Sequence, residues 1–299
     1  MFLRTCLFLC QARIQDLYQW DLQEIPVKLK LFDKEMIMKK KYLFFDIDGT
    51  LAAGGYEKTY IPESTKEALQ KLEAAGHFLA VCTGRAQALA VDIMQELGFH
   101  NMVSDGGYGV TINDQLLGIT PLDRQKVIAL VNECREKGYL WAIQPENSDT
   151  RYAPDEKFYE FTHDVYMKTQ AVEGLDPEDY PVLYKAYVGC YYPEEEKLET
   201  LKELPWCRFH KEYLFVEPCD KAFGIRQILQ HFNGDPADVI VFGDAKNDLS
   251  MFLDEWTCVA MGNACDEIKA KADFITKDVD DDGIWHACES LGLFEKVTD

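Results

Sequence analysis

The sequence predicts an α/β fold in which a parallel-sheet domain is divided by an inserted α+β domain. Short apolar runs alternate with amphipathic helical segments near the start of the chain and again near its end, which is typical of a parallel sheet covered by helices. The middle of the chain follows a different order and is rich in tyrosine. We therefore predict one domain from residues 40–117 and 211–299, and an inserted domain from residues 118–210.

Short apolar runs predict the strands of the parallel-sheet domain. YLFF, FLAVC and NMVS precede the insertion, and YLFVEP, DVIVFGD, CVAMGN and ADFIT follow it. The predicted helices between them are PESTKEALQKLEAAGH, AQALAVDIMQELG, KAFGIRQILQHF, NDLSMFLDE and EIKAKA, and a last helix follows ADFIT. Gly76 and Gly98 stand where the first two of these helices would end.

The inserted domain lacks this regular alternation. VIALVNECREKG and DEKFYEFTHDVY are predicted helices, whereas YLWAIQ and YKAYVGCYY are predicted strands. EEEKLETLKEL is a predicted amphipathic helix whose acidic residues form a solvated face.

The N-terminal extension, residues 1–39, is open to two interpretations. MFLRTCLFLCQA loosely resembles a signal peptide, although its apolar stretch is short and is broken by polar residues. A start at Met36 or Met38 would instead place YLFFDIDGT almost at the N-terminus. The sequence alone leaves both open, and it does not indicate an oligomeric state.

Composition limits the classes of partner and location. The chain of 299 residues has 52 acidic and 31 basic residues, a net charge of −21, which disfavours nucleic acid because phosphate backbones bind basic surfaces. No run of about 18 apolar residues is present, so we expect no membrane span. The 10 cysteines form no C-x-x-C pair, and this pattern favours reduced thiols in a cytoplasmic protein.

Polar side chains follow three of the predicted strands. YLFF ends at Asp46, FLAVC at Thr83 and VIVFG at Asp244. Because ligands bind outside the carboxyl ends of the strands in open parallel sheets, we expect these residues to converge on one site.

Four aspartates near these strand ends form a candidate metal site. Asp46 and Asp48 occur in DIDGTL, and Asp244 and Asp248 occur in GDAKNDLSMF. The first two are also plausible turn residues, since they precede Gly49. Four neighbouring carboxylates repel one another without a cation, and carboxylates and phosphate are the ligands with which proteins hold Mg²⁺. The sequence therefore predicts a Mg²⁺ site.

The motifs DIDGTL, VCTGR, CDKAFGI with Lys221, and GDAKNDLSMF occur in the order of the four motifs of the haloacid dehalogenase (HAD) superfamily, which this chain resembles. The tail VAMGNACDEIKAKADFIT followed by DDDGI resembles the Cof-type branch of its subfamily IIB. This resemblance implies a Rossmann-like core, an inserted C2-type cap domain and Mg²⁺-dependent phosphatase activity.

The resemblance also implies roles for the four aspartates. Asp46 would attack phosphorus and form an aspartyl-phosphate, and Asp48 would protonate the leaving oxygen and later deprotonate water. Mg²⁺ would be bound by Asp46, by the backbone carbonyl of Asp48 and by Asp244. Asp248 would support the ion directly or through water.

Four further residues would hold the phosphoryl group. Thr83 would donate a hydroxyl hydrogen bond, the backbone N–H of Gly84 would lie beside it, and Lys221 would balance negative charge. Asn247 would hydrogen-bond in the site or orient Lys221. From the residues alone, Thr83 and Asn247 are equally well placed to cap the helices that follow them.

The inserted domain would cover the site and select the leaving group. Arg151, His163, Lys185 and Arg208 are polar or basic residues of this domain that could meet a substrate, although an ordinary surface position is the favoured interpretation for any single one of them. Lys246 adds a positive charge near the predicted site and could influence substrate preference.

The predicted substrate is a small phosphorylated metabolite, either a sugar phosphate or a molecule resembling a nucleotide or cofactor. A phosphomutase shares the aspartyl-phosphate step but needs a basic cap surface for a second phosphate, which the acidic cap disfavours. A non-catalytic binding protein on the same fold is the other alternative, and the presence of both Asp46 and Asp48 argues against it.

Overall fold

The computed structural model describes residues 39–54, 58–208, 210–295 and 297. The predictions about a signal-like segment and about starts at Met36 and Met38 lie outside these residues. In the part of the chain that is described, no helix has the length and apolar character needed to cross a membrane.

Thirteen strands are present in the described residues. In chain order they are β1 (Tyr42–Phe45), β2 (Phe78–Cys82), β3 (Met102–Ser104), β4 (Gly109–Ile112), β5 (Gln115–Ile119), β6 (Leu140–Gln144), β7 (Thr150–Ala153), β8 (Lys168–Ala171), β9 (Lys185–Gly189), β10 (Tyr213–Val216), β11 (Val239–Gly243), β12 (Thr257–Ala260) and β13 (Phe274–Ile275).

Seven α-helices connect or cover these strands. They are α1 (Glu63–Ala75), α2 (Gln87–Glu96), α3 (Arg124–Lys137), α4 (Lys157–Thr162), α5 (Lys221–Phe232), α6 (Asp266–Lys269) and α7 (Gly283–Ser290), counted over the residues that the structure describes. Helix α1 ends as predicted at Gly76, whose φ of 98° is the left-handed conformation that glycine adopts without steric cost.

The first sheet has eight strands in the order β13–β12–β11–β1–β2–β3–β4–β5. Strand β1 lies between β11 and β2 and pairs in parallel with both. All four of its residues are buried, as expected of a central strand covered on both faces. The predicted α/β fold is confirmed, and the carboxyl ends of β1, β2 and β11 lie along one edge of this sheet.

The last two strands of this sheet are antiparallel to their neighbours, which the sequence analysis did not predict. Asn113 and Asp114 connect β4 to β5, with φ angles of 48° and 64°. Two consecutive left-handed residues make the tight turn that suits the twist of a β-hairpin, and Asn and Asp tolerate this conformation better than most residues.

The second sheet has five strands in the order β10–β9–β6–β7–β8, and only β7 and β8 pair in parallel. Strand β10 was predicted to belong to the parallel-sheet domain that resumes at residue 211. It instead pairs with β9, with Val216 opposite Ala186, so the return to the first sheet comes after Val216. A short apolar run such as YLFV predicts a buried strand without indicating which sheet it joins.

One predicted α-helix is replaced by two 3₁₀ turns. EEEKLETLKEL forms the short segments Glu194–Lys197 and Thr200–Glu203. The carboxylate of Glu133 in α3 accepts hydrogen bonds from the backbone N–H groups of Glu199 and Thr200, at 2.9 Å each. Because these two N–H groups donate to a side chain, they do not donate to the carbonyl groups of a continuous α-helix, and the predicted helix is divided at this point.

Candidate active site

The polar residues predicted at the strand ends converge on one cavity. Asp46 follows β1 and Thr83 follows β2, and both line a cavity of about 160 Å³ together with Asp48, Gly84 and Asn247. Five of the predicted site residues, from three separate segments of the chain, therefore share one wall. Their positions follow from the parallel order of the strands.

Asp46, Asp244 and Asp248 form an acidic cluster next to this cavity. Carboxylate oxygens of all three lie within 4.8 Å of one another. Burial raises the pKa of Asp46 well above its ordinary value, the charge of Lys221 lowers it in part, and the other two carboxylates raise it further. Burial, followed by the charge of Asp248, raises the pKa of Asp244 to about 7.

Lys221 is the cation at the centre of this cluster. Its Nζ donates to Asp46 Oδ1 at 2.6 Å, to Asp248 Oδ1 at 2.5 Å and to the carbonyl oxygen of Cys82 at 2.8 Å. Burial alone would lower its pKa, but the charges of Asp248 and Asp46 raise it above the ordinary value. Lys221, at the first position of α5, is therefore held as a buried ammonium group that contacts the ends of β1 and β2 and the turn after β11.

Asp248 also shapes the loop after β11. Its Oδ2 accepts hydrogen bonds from the backbone N–H groups of Asp244 at 2.9 Å and Ala245 at 3.0 Å. The predicted helix NDLSMFLDE is instead a tight 3₁₀ turn over Lys246–Met251, and these bonds pull it back towards the strand end. Both oxygens of Asp248 are thus engaged, one by the loop and one by Lys221.

The turn after β1 brings Asp244 against the backbone. Gly49 has a φ of 86°, and a Cβ at this position would lie 2.3 Å from Asp244 Oδ2. Thr50 Oγ1 donates to Asp244 Oδ1 at 3.2 Å. The DGT sequence therefore serves two purposes: glycine permits the close approach, and threonine fixes the carboxylate.

Arg85 is the functional residue that the sequence analysis missed. Its guanidinium donates to Asp48 through Nε at 2.9 Å and Nη2 at 2.6 Å. The side chain of Asp48 is 40% exposed, and its carboxylate is not part of the acidic cluster. The signal was present in the motif VCTGR, where arginine directly follows the predicted phosphate-binding glycine.

Thr83 and Asn247 do not cap the helices that follow them. Helix α2 begins after Ala86 without a side-chain cap, and Thr83 Oγ1 instead accepts a hydrogen bond from the backbone N–H of Arg85 at 3.1 Å. Asn247 lies inside the 3₁₀ turn, and its buried Oδ1 has no hydrogen-bond partner among the described residues. The hydrogen bonds of Lys221 Nζ go to Asp46, Asp248 and the carbonyl of Cys82, so Asn247 is not the residue that orients it. An unpaired buried amide oxygen beside the cavity is available to a ligand.

Among the candidate contacts from the inserted segment, only Lys185 lines the cavity. Arg151 is fully buried and pairs with Asp164 at 2.7 Å, so its role is in the core of the second sheet. Its guanidinium also lies about 5 Å from three aromatic rings, those of Phe158, Tyr187 and Tyr213.

The remaining candidates lie away from the cavity wall. Arg208 pairs with Glu195 at 2.9 Å and so cross-links two loops, while His163 is exposed and ends α4. Lys246 pairs with Glu267 at 2.6 Å on the surface.

Part of the cavity lining is aromatic or apolar and is called the aromatic wall. It consists of Tyr166, Tyr187, His210 and Phe215, together with Met167 and Leu89. The ring of His210 stacks on that of Tyr213, with centroids 4.7 Å apart and an interplanar angle of 9°. This aromatic wall could not be predicted from the sequence, because its residues come from distant segments of the chain.

The first sheet thus carries a buried lysine among aspartates at its strand ends, beside a cavity. Residues 43–288 match the family model of the haloacid dehalogenase-like hydrolases. The chain therefore belongs to this family, and the resemblance noted in its motifs is confirmed.

Relatives of the chain include proteins named as phosphatases. It is 32% identical over 272 residues to "Putative phosphatase YkrA" of Bacillus subtilis (strain 168), covering 86% of this chain and all of the relative. A crystal structure of a hypothetical protein from Geobacillus kaustophilus HTA426 has 34% identity and a TM-score of 0.75, covering 85% of this chain and 99% of the other.

A third relative confirms the subclass. The HAD subclass IIB sugar phosphatase BT4131 shares 27% identity and a TM-score of 0.68, covering 85% of this chain and 100% of the other. The assignment to subfamily IIB and the prediction of a phosphoric monoester hydrolase are thereby confirmed.

Proposed function

We propose that the protein is a Mg²⁺-dependent phosphatase that hydrolyses small phosphorylated metabolites through an aspartyl-phosphate on Asp46. The observation that carries this proposal is the buried contact between Asp46 and Lys221 at 2.6 Å, inside a cluster of carboxylates and next to the cavity. A carboxylate held by a single cation, with a second acid two residues away, suits nucleophilic attack on phosphorus.

The acidic cluster is chemically suited to Mg²⁺. Its donors are carboxylate oxygens, which magnesium prefers. Burial, and after it the repulsion between the carboxylates, raises the pKa values of Asp46 and Asp244, as expected where a cation is needed. Asp46, the backbone carbonyl of Asp48 and Asp244 would hold the ion, with Asp248 supporting them. When bound, the ion supplies positive charge that offsets the charge of the phosphoryl oxygens.

The residues of the chain then carry the reaction in two steps. Asp46 attacks phosphorus, the bond from phosphorus to the leaving oxygen breaks, and Asp48 gives its proton to that oxygen. Asp48 then takes a proton from water, the water oxygen attacks phosphorus, and inorganic phosphate leaves. This second step restores the Asp46 carboxylate, and Lys221 fixes its orientation throughout.

Arg85 orients the acid for both steps. Two hydrogen bonds from a planar guanidinium fix the direction of the Asp48 carboxylate at the cavity wall. Thr83, the Gly84 N–H and Asn247 are proposed to bind the phosphoryl oxygens. The hydroxyl of Thr83 accepts from Arg85 N and so keeps its own proton for this purpose.

The cavity favours a small monoester rather than a bisphosphate. Its lysine and arginine side chains among the described lining residues are Arg85 and Lys185, and each is paired with a carboxylate. A phosphomutase needs additional positive charge for a second phosphate, so we favour hydrolysis. The aromatic wall suits a sugar or cofactor-like leaving group, and the sugar phosphatase relative supports the former.

We further propose that the enzyme acts on small molecules in the cytoplasm and not on nucleic acid. The net charge of −21 repels phosphate backbones, and the eight cysteines among the described residues are free thiols.

The proposal is tested by release of inorganic phosphate from p-nitrophenyl phosphate and from a panel of sugar and cofactor phosphates. We expect turnover that requires Mg²⁺, is abolished by EDTA and is lost in Asp46→Asn. Metal-independent hydrolysis, or full activity of Asp46→Asn, would contradict the proposal.

A further inference from the structure

Lys185 joins the second sheet to the phosphate-binding loop. It lies in β9, is 3% exposed, and its Nζ donates to Glu217 Oε2 at 2.5 Å. The same Nζ donates to the carbonyl oxygen of Gly84 at 3.1 Å. A cation from the inserted segment therefore contacts the backbone of the first sheet's loop, across 101 positions of sequence.

The carbonyl of Gly84 shares a peptide unit with the N–H of Arg85. That N–H donates to Thr83 Oγ1 at 3.1 Å. Lys185 thus binds one end of this peptide unit while Thr83 accepts from the other end. Because a peptide unit is planar, a bond that fixes its carbonyl also fixes the direction of its N–H. Hydrogen bonds arranged in series also strengthen one another.

The charge of Lys185 is maintained despite its burial. Burial alone would lower its pKa, but the charges of Glu217 and Asp105 raise the pKa above its ordinary value. Its bond to the Gly84 carbonyl is therefore charge-assisted and stronger than one between neutral groups. Lys185 is the first residue of β9 and Glu217 directly follows the last residue of β10, so the second sheet positions both members of the pair.

We propose that Lys185 is a positioning residue for phosphate binding, acting through the Gly84–Arg85 peptide to orient the hydroxyl of Thr83. The inserted domain then contributes to the phosphate site as well as to leaving-group selection. This inference rests on the proposed function, because it gives Thr83 the phosphoryl-binding role. The competing explanation is that Lys185 contacts the leaving group directly.

A double-mutant cycle on phosphate affinity separates these explanations. The dissociation constant of inorganic phosphate is measured by calorimetry in the presence of Mg²⁺, for the full chain carrying Lys185→Met, Thr83→Val or both. We expect Lys185→Met to weaken binding about tenfold alone but less than about twofold in the Thr83→Val background. Lys185→Arg should restore part of the affinity.

Two outcomes would overturn the inference. Equal weakening in both backgrounds would show that Lys185 does not act through Thr83. Unchanged phosphate affinity in Lys185→Met, with loss only for particular substrates, would assign it to the leaving group, since inorganic phosphate has none. Lys168→Met, which removes an exposed cation from β8 of the same sheet, is the matched control and should leave phosphate affinity unchanged.

The experiment includes a replacement variant, and its readout does not depend on turnover. If Lys185→Met does not fold by circular dichroism, Glu217→Gln replaces it in the cycle under the same criterion, with a smaller expected loss because the cation remains. Phosphate binding needs no turnover, so a lack of phosphatase activity would count against the proposed function alone. The cycle would still decide the role of Lys185.

Discussion

Arg85 donates a hydrogen bond to each carboxylate oxygen of Asp48, from Nε to Oδ2 at 2.9 Å and from Nη2 to Oδ1 at 2.6 Å. The two residues come from loops after different strands, so these two hydrogen bonds join the loop after β1 to the loop after β2. A fork of two parallel bonds restricts rotation of the carboxylate, which a single bond to lysine would not do.

Arg85→Lys should therefore impair proton transfer more than substrate binding. We expect kcat to fall about 10- to 100-fold for alkyl phosphates and less for p-nitrophenyl phosphate, whose leaving group needs little protonation. Steady-state kinetics with both substrate types measures the difference. Arg226→Lys is the control, since Arg226 pairs with Glu255 on the surface. An equal loss for both substrates would argue against a role through Asp48.

Lys221 should be a large contributor to stability. Lys221→Met would leave Asp46 and Asp248 buried without their cation, and breaking a buried ion pair in this way costs about 3–5 kcal/mol. Urea unfolding of the metal-free protein at pH 7 measures the loss. A change in the free energy of unfolding of less than about 1 kcal/mol would mean that the carboxylates are not charged when Lys221 is present.

Asp244 should set the magnesium requirement. Asp244→Asn keeps the size of the side chain but removes one negative charge from the cluster, so we expect the Mg²⁺ concentration for half-maximal activity to rise at least about tenfold. Activity is titrated with Mg²⁺ after treatment with EDTA. Asp254→Asn, on the surface after the 3₁₀ turn, is the control. The same requirement in Asp244→Asn and wild type would remove Asp244 from the metal site.

Glu133 should make the stability of the protein pH-dependent. Burial opposes its charge, but hydrogen bonds from Lys137, Thr200 and Glu199 lower the pKa of Glu133 to about 2, below its ordinary 4.5. A lowered carboxyl pKa gives stability that is present above pH 4.5 and is lost as the pH falls towards 2.

Glu133→Gln should therefore cost about 1–2 kcal/mol of the free energy of unfolding at pH 7, and this difference should shrink as the pH falls below 4.5. Urea unfolding at several pH values measures it. Glu136→Gln, an exposed change on the same helix, should have little effect at any pH. A difference that stays constant with pH would show that the charge of Glu133 is not responsible.

The acidic cluster was predictable because its residues stand at strand ends. Asp46 and Asp244 each follow an apolar run, and in a parallel sheet such runs end on the same edge, so sequence order and topology suffice. Lys221 needed the family resemblance, because a lysine at the start of a helix is usually solvated.

The contacts that involve the second sheet were not predictable from the same signals. The sequence of strand β10 is that of an ordinary buried strand, and only its pairing with β9 in the structure shows that it belongs to the second sheet. Glu217 follows that strand, so its pairing with Lys185 depends on the same unpredicted register. Arg151 was expected to lie on the surface, with substrate contact as the other interpretation, and both were wrong, since its buried guanidinium lies against aromatic rings.

If Asp46 is the nucleophile, acid quenching during turnover should trap a phosphoryl group on its carboxylate. Wild-type protein is quenched while hydrolysing p-nitrophenyl phosphate with Mg²⁺, and the peptide containing Asp46 is analysed by mass spectrometry. We predict that this peptide carries one phosphoryl group on Asp46 and that Asp46→Asn carries none. Turnover without any phosphorylated Asp46, or phosphorylation of another residue, would contradict the account.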